Sequence, residues 1–145
     1  MRYALEPIDK PALLVAAMRA FQGEASYIAL EGDLSSYHLQ SLQNAASQET
    51  DALKRQTESP LMDFVVAQLT AINITVISRA IARKDGLAKE SGLIHVQISK
   101  NGQLVFGGYD NFHRDCVFVD GMSERELAKL KAQRILRGFE GVTDA

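Results

Sequence analysis

The spacing of apolar positions divides the chain into helical and extended stretches. Leu14, Ala17, Met18 and Phe21 recur at i, i+3, i+4 and i+7, which predicts an amphipathic helix over residues 10–22. Asp9 stands where an N-cap belongs, Pro11 falls in the first turn, and Gly23 is placed to end the helix in the left-handed conformation. A second helix follows Thr70, with Ile72, Val76, Ile77, Ala80 and Ile81 at helical spacing, cations at Arg79, Arg83 and Lys84, and Asp85-Gly86 to stop it. A third opens on Ser123-Glu-Arg-Glu126, a capping box, and runs over 124–133 with Leu127 and Leu130 inward.

Between these helices the period changes to two. Residues 1–6, 25–31, 62–69 and 115–119 read as strands, the last apolar on both faces and therefore central. Residues 51–57 read as an edge strand before Pro60, while 37–48 give little signal beyond Leu39 and Leu42. Residues 93–99 and 104–109 flank Asn101-Gly102, the pair that a type I′ hairpin turn demands. A two-residue turn pairs Lys100 with Gln103. Counting outward pairs Ile98 with Val105, Val96 with Gly107 and Ile94 with Tyr109 on the core face. Leu104 and Phe106 then join His95, Gln97 and Ser99 on the opposite face, where two large apolar groups need a cover or a partner. A bulge would reverse that assignment. Ile135, Leu136 and Phe139 read as a short tail tucked on the sheet, and 143–145 as a frayed end. The hairpin forces antiparallel neighbours, so the predicted fold is α+β: one domain over 1–145, with about three helices on a mainly antiparallel sheet.

Composition narrows the class. The chain has 145 residues, 46% hydrophobic and 23% charged, the usage of an ordinary globular domain. No stretch has the roughly 20 apolar residues of a membrane helix, and the start carries acids at Glu6 and Asp9 instead of a secretory pattern. The expected location is the cytoplasm. One cysteine, Cys116, fits a reducing compartment and reads as a small core hydrophobe. The net charge of −2 argues against nucleic acid as a partner. It is unevenly placed: residues 1–69 hold five basic against nine acidic residues, a net of −4, and 70–145 hold eleven against nine, a net of +2.

Candidate chemistry concentrates in two places. Tyr109, Asp110, His113 and Arg114 crowd the connection 109–116, where His113 has the makings of a general base oriented by Asp110 or Asp115. Asp110-Asn111 is equally ordinary turn chemistry, and Phe112 an ordinary core plug. The second set is acidic: Glu31, Asp33, Glu49 and Asp51 around the second strand. No phosphate loop, serine elbow, CxxC or HExxH occurs, and His38, His95, His113, Asp115 and Cys116 lack ligand spacing, so no cofactor and no metal is expected.

Two readings follow. The first is a protein-binding module that meets a basic partner surface through Glu31, Asp33, Glu49 and Asp51, with Leu104 and Phe106 as apolar contacts, as a monomer or as a homodimer on the hairpin face. In this general character the chain resembles small bacterial immunity proteins and antitoxins, inhibitors that present acids to a basic toxin; the resemblance is one of type and rests on no motif. The second is a small-molecule hydrolase or transferase using His113 with Asp110, Tyr109 or Arg114.

Overall fold

The first helix begins where Asp9 Oδ1 accepts the Ala12 N–H, with Pro11 in the opening turn where its absent N–H costs nothing. From that start the computed structural model, which describes residues 1–83, 87 and 92–142, runs β1 (Arg2–Pro7), α1 (Lys10–Phe21), β2 (Ser26–Gly32), β3 (Asp63–Gln68), α2 (Ala71–Arg83), β4 (Leu93–Lys100), β5 (Gln103–Gly108), β6 (Val117–Asp120), α3 (Glu124–Ala132) and β7 (Leu136–Val142). The strands form one sheet in the order β3-β2-β4-β5-β6-β1-β7, every pair antiparallel. The fold is α+β. Among the described residues no helix is long and apolar enough to cross a membrane.

The apolar stripes of α1 and α3 land where their spacing predicts, and that of α2 does so only in part. Leu14, Ala17, Met18 and Phe21 of α1 are buried, as are Leu127 and Leu130 of α3. Thr70 Oγ1 accepts the Asn73 N–H and caps α2, whose inward stripe is Ile74, Ile77, Ala80 and Ile81; Ile72 faces solvent. The Lys84-Asp85-Gly86 end lies outside the described residues, as does 143–145. These stripes meet Ile28, Leu30, Val96, Ile98, Val117 and Val119 on one sheet face to form the main core. Gly23 does not close α1 in the left-handed region. Gln22 turns the chain into extended backbone at φ −52°, ψ 135°, and the Gly23 N–H donates to the Leu69 carbonyl.

Three expectations need correction. In the hairpin, Asn101 and Gly102 do take positive φ (53° and 76°), and Lys100 does pair with Gln103. The ladder then slips: Ser99 faces Leu104 but Ile98 faces Phe106, which leaves Val105 as the extra residue of a bulge. Every later residue of β5 thereby changes face. Phe106 becomes fully buried beside Phe112, with ring centroids 5.7 Å apart. The predicted edge strand 51–57 is instead the end of a strap, residues 46–57, that joins the sheet backbone only through an isolated bridge between Ala46 and Val66. The supposed tail is β7, paired with β1 along its whole length, with Phe139 set edge-on to Tyr3 at 5.8 Å.

Two successive glycines after the bulge stand on opposite faces of β5. A Cβ on Gly107 would come within 2.4 Å of Phe118 and 2.7 Å of Tyr109; one on Gly108 would come within 2.4 Å of Phe112. Only hydrogen at both positions allows rings to lie directly on the backbone on both sides of β5.

Candidate functional site

The second sheet face is only partly covered, and its cover is the strap. Two backbone bonds between Ala46 and Val66 (2.8 and 2.7 Å) tie the strap to β3. Leu53, fully buried, then enters a small second core with Ala29, Phe64, Val66 and Leu104. This is the cover that Leu104 required. The loop around Leu53 closes on itself: the Thr50 N–H donates to the Leu53 carbonyl, Thr50 Oγ1 accepts the Leu53 N–H, and Glu49 Oε2 accepts the Arg55 N–H at 3.0 Å.

Without a ladder, the strap's backbone donors at Lys54, Gln56 and Thr57 go to side chains of the sheet. Glu31, 1% exposed, accepts the N–H groups of Gln56 (2.8 Å) and Thr57 (3.1 Å). Gln97, 2% exposed, accepts from Lys54 N and donates to its carbonyl. His95 lies across from Glu31 on β4, and its Nδ1 accepts the Asp110 N–H at 3.2 Å. A backbone N–H only donates, so the imidazole proton sits on Nε2 and is given to Thr57 Oγ1 at 3.0 Å. A buried polar seam therefore joins the strap, β2, β4 and the connection after β5.

Where the strap crosses the other end of β2, it leaves a groove of about 420 Å³. Tyr27, Val66, Ala52 and Ser99 line it, and Glu49 and Asp51 stand on its rim. Tyr27 is 41% exposed, and both carboxylates are exposed. Neither acid has a cationic partner among the described residues, whose ion pairs join the N-terminus to Asp120 and Arg137 to Glu6.

The connection 109–116 is a compact turn. Asp110, Asn111 and Phe112 hold φ values of 51°, 57° and 58°, a run of left-handed backbone that costs roughly 1–2 kcal/mol per non-glycine residue. Tertiary bonds hold it. The Asn111 N–H donates to the Ile94 carbonyl (2.9 Å), Asn111 Nδ2 to the Leu93 carbonyl (2.7 Å), and Phe112 is buried. Strain of this kind persists only where the surroundings over-determine it.

The catalytic candidates do not converge in that turn. His113 is exposed, and its Nδ1 accepts the Asp115 N–H at 3.3 Å, so no N–H remains there for a carboxylate to orient. The Asp115 carboxylate lies 3.9 Å from the same nitrogen, beyond hydrogen-bond reach. Arg114 and Asp115 instead border a groove of about 450 Å³ with Ala4, Glu6, Gly138 and Glu140. Tyr109 is partly buried against Phe118, whose ring lies 4.2 Å from the Arg2 guanidinium; burial raises its phenol above the usual value, and the charge of Arg2 offsets part of that. Cys116 is only partly buried. Its thiol is raised by burial, then by the charge and contact of Asp110, 3.8 Å away, and by Asp115. Among the described residues no three His, Cys, Asp or Glu side chains gather as metal ligands.

The acidic set divides. Glu31 is sealed beneath the strap, and Phe106 is core, so neither offers a contact surface and a hairpin dimer loses its central residue. Asp33 remains exposed, with Oδ1 accepting from Ser35, but it follows β2 at the end away from Tyr27, about 20 Å along the strand. Of these four acids, Glu49 and Asp51 line the same groove, while Asp33 borders another. Sequence reasoning passed over Tyr27 and Ser99 there, although the period-two alternation of β2 and β4 already puts both on the face opposite Ile28 and Ile98. No protein-family model matches the chain, and no curated protein or solved structure matches it.

Proposed function

We propose that this chain is a protein-binding module that docks a partner with a basic surface onto the strap side of its sheet. Glu49 and Asp51 carry this reading. Both are exposed on a loop pinned by fully buried Leu53, and neither has a cationic partner among the described residues. Carboxylates that lack a cationic partner and stand on a preorganised loop steer a basic partner into encounter and lose little side-chain freedom when it docks. The role is that of an inhibitor of the immunity or antitoxin type, acting in the cytoplasm, where a lone thiol stays reduced. A hydrolase or transferase built on His113 draws less support, because that imidazole stands in solvent with its Nδ1 occupied by a backbone donor.

The test is capture of partners from a lysate of the native source at low and high salt, with wild-type protein and the double variant Glu49→Gln/Asp51→Asn. The expected result is one stoichiometric basic protein that weakens with salt and with the variant. Absence of a partner at either salt, or capture unchanged by the double variant, overturns the reading.

A further inference from the structure

We propose that the groove beside Tyr27 is a pocket for an arginine side chain of the partner protein. This inference rests on the protein-binding reading and narrows it to one anchor. Ser99 carries it independently of the acidic rim. The residue is 4% exposed, yet among the described residues its hydroxyl has no hydrogen-bond partner. Nor is that hydroxyl enclosed by protein, as those of Ser26 and Ser78 are; Ser99 lines the groove, so its unused capacity opens there. The hydroxyl therefore meets solvent in the groove, and a ligand donor that displaces that solvent and reproduces its hydrogen bond keeps the contribution.

The neighbours of Ser99 define what completes it. Tyr27 is its cross-strand partner on β2, so an exposed aromatic ring stands beside the hydroxyl. Ala52 and Val66 give the groove apolar walls, and Glu49 and Asp51 make its mouth negative. A guanidinium matches all of these at once. Its plane stacks on the tyrosine, one N–H donates to Ser99 Oγ, the remaining N–H groups face the carboxylates, and the methylene stem lies on the apolar walls. An ammonium brings the charge without the plane. A neutral or acidic side chain leaves the carboxylates unmatched or repelled.

The probe is Nα-acetyl-arginine methylamide, titrated into the full chain and followed by backbone amide shifts, with the lysine and citrulline derivatives as controls. The expected result is saturable shifts at Tyr27, Glu49, Asp51 and Ser99, with millimolar affinity, lysine several-fold weaker and citrulline about tenfold weaker. Glu49→Gln and Asp51→Asn each weaken arginine roughly two- to five-fold. Ser99→Ala weakens it by about threefold or more while the thermal midpoint stays level or rises, which a merely structural hydroxyl would not do. No saturable shift, shifts mapping to another surface, equal binding of lysine or citrulline, or no effect of Ser99→Ala overturns the pocket. If the Glu49→Gln/Asp51→Asn variant loses a captured partner but arginine does not bind, the pocket fails and the docking reading stands. If arginine binds and no partner is captured, the pocket stands and the docking reading fails.

Discussion

Replacing Glu31 by alanine removes the acceptor for two strap amides, those of Gln56 at 2.8 Å and Thr57 at 3.1 Å. A hydrogen bond to a charged group contributes about 1.5–3 kcal/mol. Two such bonds sum to more than the net loss, because the released amides lie near the surface and regain water, and because alanine no longer buries a charge. A destabilisation of about 3 kcal/mol follows, a large part of the roughly 5–15 kcal/mol that holds a domain of this kind together. At about 2–4 °C per kcal/mol, the thermal midpoint falls by about 10 °C. Glu31→Gln keeps one acceptor, turns an amide NH₂ toward a backbone donor, and loses about half as much. Urea unfolding gives the free energies, and amide hydrogen exchange locates the effect: Gln56 and Thr57 lose protection while Ile28 and Ile98 in the main core keep theirs. A loss below about 1 kcal/mol, or unchanged protection at Gln56 and Thr57, would refute the assignment of Glu31 as the strap's anchor.

Three further expectations concern the connection after β5. Asn111→Ala costs about 2 kcal/mol, from the bond to the Leu93 carbonyl and the left-handed φ of 57°, whereas Asn111→Gly costs about half of that; equal losses in urea titrations would remove the conformational share. Cys116 reacts with a disulfide reagent at neutral pH more slowly than free cysteine, because burial and Asp110 keep it protonated, and Asp110→Asn speeds the reaction; an unchanged rate in the variant rejects that cause. The Tyr109 phenol titrates above its usual value near 10, read as the difference between wild type and Tyr109→Phe in an alkaline absorbance titration. A raised value means that the folded chain holds the proton longer than the unfolded one. The contribution is therefore complete below the ordinary phenol range and disappears as pH rises through the folded value, and Arg2→Gln moves that loss to still higher pH.

Local chemistry alone determined the parts of this protein that answer to near neighbours. Asp9 and Ser123 cap helices within three residues of themselves, Asn101-Gly102 turns the chain on its own backbone, and the stripes of α1 and α3 are set by the helical period. The tertiary structure decided what depends on distant partners. The bulge at Val105 follows from the core space that Phe106 shares with Phe112, and it overturns a face assignment that counting from the turn had made. Strand β7 carries two glycines and little β-branched character, and it becomes a strand only because β1 supplies the ladder. Beyond the single bridge at Ala46, the strap has no ladder. Its donors find Glu31 and Gln97, 25 to 43 positions away in sequence, so a stretch that reads as an edge strand becomes a cover, and an acid that reads as surface becomes its buried anchor. For the same reason the candidate site was half legible. Glu49 and Asp51 stand out as acids in any reading of the chain, but Tyr27 and Ser99 join them only where the strap, β2 and β4 meet, since a groove is made by elements whose proximity no local pattern encodes.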